Sequence, residues 1–135
     1  MKITATDVKV TEIEADAVVV GVDSQDGLTT EAQQVDAATG GLLTRLLQRE
    51  EISGKAGKIT TLLAPGGVRA GQVVVIGLGE REKFGRGEAF RAAAAAAKKL
   101  AEKQRARVGF YLGEGWTEPQ VEAGVCGAIV GCHGQ

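Results

Sequence analysis

No asparagine occurs anywhere in these 135 residues, and histidine occurs once, at His133 in a Gly-Cys-His-Gly tail. Serine is nearly as scarce: Ser24 and Ser53 are the only two, and neither stands in a G-x-S-x-G elbow. A Ser-His-Asp triad would therefore have to use a base beside the chain end and a serine outside the motif that exposes such a nucleophile, so serine hydrolysis has no support. The only thiols are Cys126 and Cys132, in a stretch that reads as helical. Six helical residues rise by roughly 9 Å, beyond the roughly 7 Å between Cα atoms that a disulfide tolerates. Two free thiols fit a reducing compartment. Cys126 and His133 share a helix face but stand about 10.5 Å apart along the axis, too far for one ion, and Cys132 with His133 supplies at most two ligands. The expected inventory of catalytic, cofactor-binding and metal-binding residues in this chain is accordingly none. A small buried thiol and a surface imidazole are the expectation.

Charge of one sign is also missing. The formal net charge is −1 and nothing biases the whole chain toward nucleic acid or anionic membrane. The local picture differs, because Arg81 to Arg107 holds nine cations (Arg81, Lys83, Arg86, Arg91, Lys98, Lys99, Lys103, Arg105, Arg107) against three acids, an excess of +6 that leaves −7 for the rest. Such a block can neutralise phosphates. Against nucleic-acid contact, cations near a helix carboxyl end complement the macrodipole, and Phe90 reads as a core residue rather than a stacking platform. A solvated helix face is the reading adopted. Met1 to Asp7 lacks the apolar core of a signal peptide, and no stretch approaches the roughly 18 apolar residues that span a bilayer. The expectation is a cytoplasmic, soluble protein with no membrane partner.

What is present is apolar patterning interrupted by glycine: 44% of the residues are hydrophobic and 20 are glycine. At this length one domain with one core is the default. Lys2 to Val10 reads as a first strand and Ala17 to Val22 as a second, buried one. Asp23-Ser24-Gln25-Asp26-Gly27 is turn chemistry, since Asp26 breaks the alternation a calcium loop needs. Leu28 to Leu47 carries a helical pattern split by Gly40-Gly41. Lys58 to Leu63 is a third strand, and Val73-Val74-Val75-Ile76 a fourth, suited to burial on both faces and ending in the glycine turn Gly77-Leu78-Gly79. The connection through Ala64-Pro65-Gly66-Gly67 permits a hairpin. Glu88 to Gln104 is a helix with Phe90, Ala93, Ala94, Ala97 and Ala101 on its apolar face. Val108 to Leu112 is a fifth strand, and Thr117 with Gln120 makes a capping box for a last helix burying Val121, Val125, Ala128, Ile129 and Cys132. Strands alternating with helices predict an α/β fold, a three-layer α/β/α sandwich with a mixed, mostly parallel five- or six-stranded sheet.

Two phosphate-binding motifs fail, the second also on the spacing of its upstream glycine. Glu82 occupies the last glycine position of a G-x-G-x-x-G fingerprint begun at Gly77, and Ile59 follows Lys58 where a P-loop needs Ser or Thr. Glu50 and Glu51, adjacent at a helix end, face different directions and make a poor acid/base pair.

Ala15 to Val22, the leucine-rich helices around Gly40-Gly41, Gly54-Lys55-Ala56-Gly57, Pro65-Gly66-Gly67 and Val73 to Glu80 with Phe84, in that order and spacing, resemble the N-terminal domain of the leucyl (cytosol) aminopeptidase family over nearly the whole chain. The resemblance implies a macro-domain-like fold spanning 1–135, non-catalytic, that precedes a separate catalytic domain in a homo-hexameric cytoplasmic metallo-exopeptidase. That family's chemistry rests on two divalent ions, zinc or manganese, in the catalytic domain, with an Asn-Thr-Asp-Ala-Glu-Gly-Arg motif. A chain without asparagine cannot contain it, so no catalytic or metal residue carries over. The implied partners are the chain's own catalytic domain and further copies of the protein, with peptide substrate met only through that domain. The alternative is a free-standing macro-type module for ADP-ribose or a related nucleotide. Such modules typically follow the early buried strand with asparagine, and here Gly21-Val22-Asp23-Ser24 stands in its place.

Overall fold

The computed structural model describes residues 9–24, 27–63, 66–80, 85–100 and 108–111. Two strands form its centre, β1 (Ala17–Asp23) and β4 (Gln72–Gly79), both buried almost throughout. They run parallel, with Val18 opposite Val73 and Val20 opposite Val75. Side chains alternate across a strand, so paired neighbours serve the same layer. Val18, Val20, Val22, Val73 and Val75 turn to one face, where Ala32, Val35, Leu43 and Ile52 close over them. Ala17, Val19, Val74, Ile76 and Leu78 turn to the other, against Ala92 and Ala96. A strand apolar at every position is thus what a sheet covered on both sides requires.

Between β1 and β4 the chain forms β2 (Gly27–Leu28), α1 (Thr30–Ala38), α2 (Leu42–Gln48) and β3 (Ile59–Leu63). Thr29 caps α1 through its hydroxyl, which accepts from Ala32 N at 3.4 Å. Gly40 and Gly41 take φ of 72° and 86°, a left-handed pair that ends α1 and starts α2. β3 returns antiparallel along β4, with Ile59 opposite Ile76 and Leu63 opposite Gln72. After β4 come α3 (Arg86–Leu100) and β5 (Val108–Tyr111), and β5 pairs parallel with β1 on the side away from β4. β2 adds two antiparallel pairs at the end of β1. Among the described residues the sheet is therefore mixed and five-stranded, parallel at its centre and antiparallel at β3 and β2.

The helices split at Gly40-Gly41, the strands at 17–22, 58–63, 73–76 and 108–112, the mixed sheet and the hairpin all agree with the sequence reading to within a few residues. Four details are corrected. Val10 lies in a turn closed by Lys9 O, which accepts from Glu12 N and Ile13 N, and residues 2–8 of the expected first strand lie outside the described residues. Asp23 belongs to β1, and Gly27 pairs in β2 instead of finishing a turn. The glycines after Ile76 continue β4 as far as Gly79 instead of breaking it. In α3 the buried positions are Ala89, Ala92, Ala93, Ala96 and Ala97, so the buried face lies about one residue earlier than expected and Phe90 and Ala94 are only partly covered. An unbroken alanine run is apolar in every phase, so periodicity has nothing to register on. The expected last helix, with Thr117, Gln120, Cys126, Cys132 and His133, lies outside the described residues.

Candidate functional site

β1 and β4 are adjacent and parallel, yet they send their connections to opposite faces: β1 into α1 and α2, β4 into α3. In open α/β sheets, the crevice at the carboxyl ends of two such strands is where ligands bind. Its walls here are Asp23 at the end of β1 with Ser24 after it, and Gly77, Leu78 and Gly79 from β4. The pairing slips there, Val22 facing Gly77 and Asp23 facing Gly79, so β4 carries one extra residue. Ser24 N donates to Gly79 O at 3.0 Å and pins the two ends together.

The segment between α2 and β3 lies across these ends. Gly79 N donates to Gly54 O at 2.7 Å, Gly77 N to Lys58 O at 2.8 Å, and Gly57 N to Gly77 O at 3.0 Å. Lys58 N closes the segment on itself by donating to Lys55 O at 3.1 Å. The fit is backbone against backbone. A Cβ on Gly77 would stand 2.0 Å from Lys55 O, and one on Gly54 would stand 2.3 Å from Ser24 N and Ser24 Cα. Neither position can carry a side chain while the segment stays where it is.

Several residues singled out in the sequence meet here in structural roles. Ser53 Oγ accepts from Lys55 N at 3.3 Å, and Ser24 contributes its backbone N–H, so the two serines flank Gly54 and serve the turn. Lys58 Nζ donates to Glu50 O at 3.3 Å, and Thr60 Oγ1 donates to Glu51 O at 3.3 Å. Both glutamate side chains are exposed, in keeping with solvation. Asp23 is buried at 8% exposure and makes polar contact within the fold. Of the basic block, Arg91 pairs with Glu88 at 2.5 Å and Lys98 and Lys99 are exposed at the end of α3. Arg81, Lys83, Lys103, Arg105 and Arg107 lie outside the described residues.

Glu88 Oε1 accepts from Gly85 N at 2.8 Å at the start of α3, and this backbone bond, aided by the helix start and Arg91, holds its carboxyl below the usual range. Partial burial, with the Glu31 carboxylate nearby, pushes the Tyr111 phenol up. Among the described residues, no three His, Cys, Asp or Glu side chains come together in a way that could hold a metal ion, and no helix is long and apolar enough to cross a membrane. Sequence reasoning missed the bridging segment. Its signal was Gly54 and Gly57 bracketing Lys55-Ala56, with the glycines Gly77 and Gly79 on the strand it covers.

The family model for the cytosol aminopeptidase family, N-terminal domain, matches residues 19–134. A probable cytosol aminopeptidase of Xylella fastidiosa (strain M12) is 39% identical over 88 residues, which are 65% of this chain and 18% of that protein. Among solved structures, a leucine aminopeptidase mutant from tomato superposes with a TM-score of 0.75 at 23% identity, covering 94% of this chain and 27% of the other. The macrodomain of Mycobacterium tuberculosis DarG superposes with a TM-score of 0.69 at 14% identity, covering 97% of this chain and 90% of that one. Both superpositions bear on the fold, which is macrodomain-like. The chain spans about a fifth of the length of the curated relatives it matches, between 14% and 23%.

Proposed function

We propose, from the premise that this chain belongs to the cytosol aminopeptidase family as its N-terminal domain, that it is the non-catalytic domain of a metal-dependent exopeptidase releasing N-terminal amino acids from peptides. The observation that carries this reading is the pattern of coverage: a family model over residues 19–134, and relatives named probable cytosol aminopeptidases of which the chain accounts for 14% to 23%. The remainder of such a protein is where a catalytic domain would reside. On this reading residues 1–135 form one domain that packs on the catalytic domain, shapes access to its active site and supports assembly, in a cytoplasmic homo-hexamer. Two divalent ions, zinc or manganese, would supply the Lewis acid and activated water of the reaction. The described residues do not fit such a centre, because no acid, thiol or imidazole cluster is assembled from them. On this reading the ions belong to the catalytic domain.

The test is hydrolysis of a leucine anilide by the purified chain with manganese or zinc supplied. No turnover above the metal alone is expected, and metal-dependent turnover that follows the folded chain through purification would overturn the assignment. The second reading, a macro-type module binding ADP-ribose or a related nucleotide, rests on the fold alone, which superposes on the macrodomain of Mycobacterium tuberculosis DarG with a TM-score of 0.69. Against it stands the close approach of Gly54 to Ser24 after β1 and of Lys55 O to Gly77 in β4, which crowds the crevice between the two strand ends.

A further inference from the structure

β3 ends the sheet: β4 lies on one side of it, and among the described residues no strand lies on the other. Its ladder begins where Gly77 N donates to Lys58 O at 2.8 Å, so Lys58 turns its carbonyl toward β4. Bonding groups alternate in direction along an antiparallel strand, which turns Thr60 and Leu62 toward Val75 and Val73 and leaves the amides and carbonyls of Ile59, Thr61 and Leu63 pointing out of the sheet. Among the described residues no turn or loop bond reaches these three backbones. Side chains alternate as well. Leu62 packs on the core beneath α1 and α2 and Thr60 Oγ1 donates to Glu51 O, whereas Ile59 leans on the α3 layer and Leu63 is 77% exposed, the one large hydrophobic side chain so placed among the described residues. Sheet edges are ordinarily guarded by charge, proline or a bulge. Ile59-Thr60-Thr61-Leu62-Leu63 has no charged residue and no proline, and its register on β4 is unbroken.

We propose that two copies of this chain pair edge to edge through β3, antiparallel about a two-fold axis at Thr61. The outward residues are symmetric about Thr61, so in that register Ile59 meets Leu63 of the second copy, Thr61 meets its own counterpart and Leu63 meets Ile59. Every outward amide then faces an outward carbonyl, with two hydrogen bonds for each of the three pairs. The same register brings the Ile59 and Leu63 side chains to about 4.5–5.5 Å between Cβ atoms across the seam, an aliphatic pair at each end that covers the exposed Leu63. Charge favours a copy over a charged partner. Neither strand brings a charged side chain to the seam, and Lys58, the nearest cation, is engaged by Glu50 O of its own chain at 3.3 Å. A strip this short lies at the small end of protein interfaces, so the association is weak and depends on concentration. The inference concerns the edge alone and stands whether or not the chain serves an aminopeptidase.

Sedimentation equilibrium of the whole chain, paired with amide hydrogen exchange at the same concentrations, tests this. Across about a hundredfold range of concentration the mass should rise from monomer toward dimer. Over that range the Ile59, Thr61 and Leu63 amides should pass from fast exchange to exchange slowed by at least roughly threefold, while Thr60 and Leu62, bonded to β4, stay slow throughout. Thr61→Lys sets two ammonium groups against each other at the axis and should hold the chain monomeric, whereas Thr61→Val, uncharged and β-branched, should keep the dimer. Should the lysine variant fail to fold, Leu63→Lys at its exposed position puts a charge against Ile59 of the second copy and should do the same. A monomer at every concentration overturns the proposal, whether these amides exchange fast, which leaves the edge open, or slowly, which means the same chain covers it. A dimer in which Thr61 still exchanges fast, or one that survives the lysine variants, places the contact elsewhere and overturns it too. Leucine anilide turnover by the same sample bears only on the functional reading, so the two failures are distinguishable.

Discussion

Asp36 sits inside α1 and caps α2. Its carboxylate accepts from Thr44 N at 2.8 Å and from the Thr44 hydroxyl at 2.5 Å, which satisfies a first-turn donor of a helix whose own cap position, Gly41, has no side chain to offer. Asp36→Ala should lower stability by about 1 kcal/mol, the usual worth of a helix cap, and Asp36→Asn by less, because an amide oxygen still accepts without the charge. Urea unfolding of the three proteins, compared at midpoint, measures it. Glu88 makes a second prediction of known sign. Its carboxyl is held low first by the Gly85 N–H, so its contribution is present above the unfolded value, near 4.5, and is lost as pH falls through the lower folded value. Glu88→Gln should flatten that part of the acid-stability profile, and carboxyl titration by NMR should place the folded midpoint below that of the unfolded chain. A folded midpoint at or above the unfolded one would overturn the assigned cause.

At the scale of elements, α3 separates what the residues announce from what only packing decides. Its existence was plain, because Glu88 to Lys99 holds no breaker after Gly87 and alanine is the best helix former. Its phase was not, because six alanines in succession look alike to any periodicity. The sheet chose Ala92 and Ala96, flanked by Ala89, Ala93 and Ala97, as the surface able to approach Val19, Val74 and Ile76 closely. Ala96→Leu should therefore overpack the layer and cost about 1–3 kcal/mol. Ala94→Leu, at a partly exposed position, should cost well under half of that. Thermal or urea unfolding of both variants checks it, and a larger loss at Ala94 would restore the other phase. The same division holds for the strands. Ala17 to Val22 and Val73 to Ile76 declared themselves as doubly buried by composition alone, whereas their endings did not. Gly77 and Gly79 read locally as a turn because a glycine pair permits one. What they serve is the approach of a segment some twenty residues upstream, a nonlocal requirement that leaves no mark in a local window.

Over the whole molecule the sheet order is not the chain order: β5, the last described strand, lies against β1, the first, and beside α1. Tyr111 closes that arrangement. It pairs in register with Val20, packs on the core shared by α1 and α2, and lies close enough to Glu31 in the first turn of α1 for the carboxylate to act on its phenol. It is also the chain's single tyrosine, so tyrosinate absorbance reports this junction and nothing else. Its ionisation is raised above 10.0, first by partial burial and then by Glu31. A phenol that stays protonated longer in the folded state means the folded chain holds a proton that the unfolded chain has released. The stabilisation is therefore complete below about 10 and is lost as pH rises through the folded value. The alkaline titration of the native chain should run above that of the chain in concentrated urea, and Glu31→Gln should bring it only part of the way back, because burial is the larger cause. Urea unfolding repeated at rising pH should show the midpoint falling once the unfolded tyrosine begins to ionise. Native and unfolded titrations that coincide would mean that β5 does not dock beside α1, and the link between the two ends of the described chain would have to be redrawn.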